Sequence, residues 1–141
     1  MLKGVQGDIT FNIVGPFEDP KYVQTCRKVC EDLAPNINVC FHGEVDHVRV
    51  HEILSSNHLF FLPTRGENFG HVILEALLAG CPILLSDQTP WKGLENFGIG
   101  WDIPLNHPEN KRRWNSLSLP NTCFATPIKP IAPHRYQSGE K

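Results

Sequence analysis

Residues 59–62, Leu-Phe-Phe-Leu, contain no polar position. A strand with one wet face alternates apolar and polar residues. A strand buried on both faces does not, and such strands belong to parallel sheets flanked by helices. The run Pro82 to Ser86, Pro-Ile-Leu-Leu-Ser, repeats the pattern. Between the two lies an apolar helical pattern over 70–79, which Gly80 ends as C-cap. Strand, helix and strand in this order make a parallel unit with a right-handed crossover.

The remaining chain extends the alternation. Ile9 to Val14 is rich in β-formers and stops at Gly15-Pro16, a turn pair. Asp19-Pro20 signals a helix start, and Tyr22, Val23, Cys26, Val29, Cys30 and Leu33 recur at helical spacing over 20–33. Asn36 to Phe41 reads as a second strand, closed by His42-Gly43. A short helix fits Val45 to Ser55, with Val48, Ile53 and Leu54 as its apolar stripe. Gly98 to Ile103 is a weaker last strand. The predicted fold class is therefore α/β, a Rossmann-like parallel sheet with helices on both faces. Ligands bind such sheets beyond the carboxyl ends of the strands, which directs attention to the loops after Val14, Phe41, Leu62 and Leu85. The pattern stops near Leu105. Residues 106–141 hold five of the twelve prolines and neither periodicity. The expected division is a truncated Rossmann-like domain over 1–105, whose ligand class the segment from Pro63 to Pro82 specifies below, and an irregular or poorly ordered tail over 106–141.

Charge and cysteine content narrow the partners. A net charge of -2 offers no basic stripe for nucleic acid. Cys26 and Cys30 share a helix face without a second ligand pair at zinc-site spacing, and reduced thiols are the reading that fits. His47 and His51 are four apart, but Val48 stands where an HExxH frame needs Glu. No metal and no cofactor are expected. No leader pattern is present, and no apolar run approaches the ~18 residues needed to cross a bilayer.

The segment from Pro63 to Pro82 carries the chemistry. A buried strand ends, a loop with Gly66 and Gly70 follows, and a helix begins near Gly70. The first N–H groups of a helix lack partners and lie at the positive end of its dipole, so a phosphate can sit there. Glu67 precedes that helix and Glu75 lies on its second turn. Val72, Ile73, Leu74, Leu77 and Leu78 make the helix apolar, so most of its surface is expected to be covered. A carboxylate in that setting must pair or face a cleft. Two carboxylates flanking a phosphate site suit a ligand with hydroxyls at both ends and phosphate between them. Plainer roles stay open: Glu67 can favour the dipole, worth about 0.3–1 kcal/mol, and Glu75 can form a salt bridge.

The spacing of Glu67 and Glu75, with Phe69-Gly70 between them and Ala79-Gly80-Cys81-Pro82 after, resembles the E-x7-E signature of retaining glycosyltransferases of family four, glycosyl transferases group 1. The resemblance runs from about Ile9 to Ile103 and takes in Val14-Gly15-Pro16, Phe41-His42-Gly43-Glu44-Val45 and Phe61-Leu62-Pro63-Thr64. It implies one half of a two-Rossmann-domain enzyme. By that resemblance Glu67 binds hydroxyls of the donor sugar and is the catalytic candidate. Main-chain N–H groups of Asn68, Phe69, Gly70 and His71 hold the distal phosphate, and Glu75 accepts the ribose hydroxyls. The loop at Gly43, Glu44 and Val45 contacts the base. Gly15 lines the cleft, although a plain strand-ending turn accounts for it equally well. His71 departs from the small or apolar residue common at its position.

The implied donor is a UDP-, GDP- or ADP-linked sugar, used as substrate. The implied acceptor is a hydroxyl of a glycan or lipid-linked molecule, in surface polysaccharide synthesis. The implied setting is cytoplasmic, or peripheral to a membrane in the intact enzyme. The family pattern also has an earlier glycine loop with a basic pair, and an N-terminal acceptor domain. Met1-Leu2-Lys3-Gly4 looks like the end of the helix after that loop. A fragment of this kind is expected to bind nucleotide weakly and not to transfer sugar alone. The competing readings are non-catalytic. A dinucleotide site would need Gly-x-Gly-x-x-Gly after the first strand. A receiver-like interaction module would need an acceptor aspartate where Leu62-Pro63-Thr64 stands, and no exposed apolar stripe is expected to favour it.

Overall fold

The computed structural model describes residues 7–105 and 122–125. In chain order the elements are β1 (Ile9–Val14), α1 (Pro20–Glu31), β2 (Ile37–Gly43), α2 (His47–Ser56), β3 (Leu59–Leu62), α3 (His71–Leu78), β4 (Ile83–Ser86), a 3-10 turn at Leu94–Phe97, β5 (Gly100–Ile103) and β6 (Thr122–Ala125). The six strands form one sheet in the order β2-β1-β6-β3-β4-β5, with every pair parallel. The α/β Rossmann-like class expected from the alternation is the observed one.

The uniform apolarity of β3 and β4 has a direct cause. Phe60, Leu62, Ile83 and Leu85 enter one core together with Leu54 of α2 and with Ile73 and Ala76 of α3. Leu59, Phe61 and Leu84 enter a second core with Ile9 and Ile103. Side chains alternate across a pleated strand, so a strand covered on both faces needs apolar residues at every position. Phe60, Ile73, Ile83 and Leu85 have no exposed surface. Each fully buried side chain of this size contributes about 1.5–3 kcal/mol. Right-handed crossovers set α2 and α3 on one face and α1 on the other.

Local signals explain the helix starts. The Asp19 side chain accepts from Lys21 N and Tyr22 N at 2.9 and 3.1 Å, and Pro20 occupies the first turn, where its missing N–H costs nothing. Gly70 precedes α3 with φ 73°, a left-handed conformation. A Cβ there would meet Ile73 Cδ1 at 2.5 Å, so both the backbone and the space require glycine.

The structure refines three expectations. Within residues 106–141, expected to be irregular or poorly ordered, Thr122–Ala125 form β6 between β1 and β3; the rest of that segment lies outside the described residues, as do Met1-Leu2-Lys3-Gly4. On α3, most of whose surface was expected to be covered, Leu74 is 39% and Leu78 74% exposed. Val48, expected in the apolar stripe of α2, is exposed, as is Val29 on α1. Hydrophobic periodicity marks the side of a helix that can be buried, whereas burial needs a neighbouring element. Among the described residues, no helix is long and apolar enough to cross a membrane.

Candidate functional site

Because all strands are parallel, their carboxyl ends share one edge. Four loops gather there, after β1, β2, β3 and β4. The first two are tied together where Gly15 N donates to Gly43 O at 2.8 Å. Both glycines have positive φ, 141° and 72°. A side chain at Gly43 would be strained by the backbone, and its Cβ would lie 3.6 Å from the Phe17 ring. Glu44 is exposed, while Val45 packs on the core that contains α2 and α3. Burial, reinforced by Cys26, pushes the Tyr22 phenol above its ordinary range, and the Arg65 charge opposes this.

The loop from Pro63 to Gly70 is held from within. Thr64 Oγ1 donates to Gly66 O at 2.7 Å and accepts from Gly66 N at 3.2 Å. Glu67 turns back on its own loop: Oε1 accepts from Asn68 N at 3.0 Å and from Gly70 N at 3.1 Å. Two of the N–H groups assigned above to a phosphate are thus engaged by a carboxylate. This fits the electrostatics of a helix start, where negative charge is favoured whether it comes from a side chain or a ligand. Phe69 is 53% exposed, and its ring lies 4.7 Å from that of His71, which is also exposed.

The loop after β4 braces this one. The fully buried Ser86 hydroxyl donates to Thr64 O and accepts from Gln88 N at 3.3 Å. Glu67 N donates to Gln88 O at 3.2 Å. Trp91 Nε1 donates to Phe69 O at 2.9 Å. Gln88 and Trp91 carried no recognisable signal in the sequence. A lone tryptophan between two strands was the available hint, because a partly buried indole seeks an acceptor for its N–H.

Glu75 is half-buried on α3, and its Oε1 lies 3.7 Å from Nδ1 of His47, the first residue of α2. The carboxylate therefore has a pairing partner when that imidazole is protonated, and the contact lies over the end of the loop that contains Gly43, Glu44 and Val45. The structure thus brings Glu67, Asn68, Phe69, Gly70 and His71 into one loop and helix start, Gly15 and Gly43 into backbone contact, and Glu75 to the start of α2. Among the described residues no group of three or more His, Cys, Asp or Glu is placed to hold a metal ion. Cys81 is buried, its Sγ lies 3.5 Å from Asn57 O, and burial pushes its thiol up to about 11.

Residues 1–95, which include all four loops, match the family model described as glycosyl transferases group 1. Neither the curated proteins nor the solved structures gave a match.

Proposed function

Because the chain belongs to the glycosyl transferases group 1 family, we propose that it binds a nucleotide-sugar donor at the carboxyl edge of its sheet, for transfer of the sugar to an acceptor hydroxyl. The observation that carries this reading is the position of Glu67 and Glu75 on either side of the start of α3. A diphosphate arriving at α3 competes with the Glu67 carboxylate for Asn68 N and Gly70 N. Once displaced, that carboxylate is free to accept hydroxyls of the sugar, two at a time if both oxygens are used. Glu75 accepts the ribose hydroxyls. Main chain at Gly43, Glu44 and Val45 meets the base, and Gly15 leaves room beside it.

The chemical logic follows from charge. When the glycosidic bond of the donor breaks, negative charge grows on the departing nucleoside diphosphate. Fixed dipoles aimed at that charge stabilise the transition state more than the ground state, and loss of one such donor costs ~10²–10³ in rate. The N–H groups at the start of α3 are the dipoles that this chain supplies. The acceptor class remains the glycan or lipid-linked hydroxyl that the family resemblance implies.

Ligand-observed NMR of UDP, GDP and ADP against the chain tests the reading. Saturation transfer to the ribose and base of one nucleotide, lost in Glu75→Ala, is the expected result and names the base. Transfer that survives Glu75→Ala unchanged would remove Glu75 from the site and sink the assignment.

A further inference from the structure

We propose that His47 is a positioning residue for the nucleoside: it holds the Glu75 carboxylate over the start of α2, where that carboxylate meets the ribose beside the loop that takes the base. The proposal rests on the donor-binding reading.

Glu75 lies among apolar neighbours. Ile73 and Ala76 are fully buried, Val72 and Leu77 pack on the same core, and the Glu75 side chain is 35% exposed. Its charged end therefore has few solvated directions to choose from. The direction it takes is marked by His47, whose Nδ1 is 3.7 Å from Oε1. His47 opens α2, immediately after the loop that follows β2. Val45 and Val50, on either side of the start of α2, pack on the core that holds Ile73 of α3, which fixes that start relative to Glu75.

The pair is built to exchange. The His47 side chain is 93% exposed, so neither forming nor breaking the contact desolvates it. At 3.7 Å the contact is longer than a hydrogen bond, and it acts as an electrostatic tether while the imidazole carries a proton. A carboxylate offers about four lone-pair sites over two oxygens. With Oε1 tethered to His47, the rest of the group stays open to vicinal hydroxyls. His47 thus selects the Glu75 rotamer before the ligand arrives, which lowers the ordering cost of binding.

Affinities of UDP, GDP and ADP for the full chain test this, compared among wild type, His47→Ala, His47→Gln, Glu75→Ala and the His47→Ala/Glu75→Ala double variant. Because the His47 side chain is exposed, its substitution leaves the core intact, and unchanged thermal unfolding checks that. His47→Ala is expected to weaken binding about two- to fivefold, the range of an exposed ion pair. His47→Gln should recover part of the loss, because its amide can still donate to Oε1. In the Glu75→Ala background the His47 substitution should cost nothing further. Wild-type affinity in His47→Ala, or an undiminished effect without Glu75, overturns the proposal while leaving the donor site standing. Absence of binding by the wild-type chain to all three nucleotides overturns both.

Discussion

The indole N–H of Trp91 donates to the main-chain oxygen of Phe69 across 2.9 Å, so a side chain from the loop after β4 holds the loop that begins α3. Trp91→Phe keeps an aromatic ring against the core and deletes that bond. The expected cost is about 1 kcal/mol of stability, with faster amide hydrogen exchange over 66–70. Nucleotide affinity should fall with it, since the loop loses its preorganisation. Unchanged exchange in this segment would show that the bond does not restrain it.

Gly70→Ala tests the turn itself. The new methyl meets Ile73 Cδ1 at 2.5 Å on a backbone with φ 73°. The left-handed backbone alone costs about 1–2 kcal/mol for an ordinary residue, and the clash adds to it. Combining Gly70→Ala with Ile73→Val removes the clashing Cδ1 atom, so chemical denaturation should show partial recovery. Recovery to full wild-type stability would mean that backbone strain contributes nothing.

The thiol of Cys81 makes stability depend on alkaline pH. Its pKa is raised to about 11 by burial, and Cys30 and Tyr22 are also raised, burial being the main cause in each. A folded-state pKa above the unfolded one means that the folded chain binds the proton more tightly. The stabilisation is therefore complete below the unfolded thiol value of ~8.5 and is lost as pH climbs through about 11. Cys81 accounts for roughly 2–3 kcal/mol of that decline. Denaturant midpoints measured from pH 8 to 11 should fall less steeply in Cys81→Ala than in wild type; equal slopes would assign the decline to other groups.

Burial separates two equally apolar positions. Phe60 has no exposed surface, and Phe60→Ala should cost about 3–5 kcal/mol, enough to unfold a marginal domain. Leu78 is 74% exposed on α3, and Leu78→Ala should stay within about 0.5 kcal/mol of wild type. Circular dichroism melts of both variants read the contrast directly. A large loss at Leu78 would show that something covers that side of α3.

What the sequence conveyed, it conveyed through local chemistry. Leu59 to Leu62 and Ile83 to Leu85 are legible as doubly buried strands because no polar residue interrupts them. Asp19-Pro20 announces α1 because the side chain and the ring each satisfy a rule of helix starts. Glu67 and Glu75 stand out because carboxylates are costly beside an apolar helix. The misses are relations between distant residues. Thr122 to Ala125 sit in a proline-rich stretch, and their partners are Thr10 to Ile13 and Leu59 to Phe61, far away in the chain. The return of Glu67 onto Asn68 N and Gly70 N is a choice between a side chain and a ligand that residue types do not express. The spacing of His47 pairs it with His51, whereas its neighbour in space is Glu75, across a helix–helix contact.

The placement of β6 bears on how the chain is made. Among the described strands, β1 and β2 form one half of the sheet, β3, β4 and β5 the other, and only β6 touches both. A ribosome delivers these five strands first and the joining strand last. Until Ala125 has emerged, the nascent chain carries two half-sheets with open inner edges, which are templates for pairing with any other strand. The pairings that close them are also the most non-local in the fold, and such contacts form slowly. The nascent chain is therefore most prone to aggregation in the interval between release of β5 and docking of β6, when a chaperone that shields strand edges has most to protect.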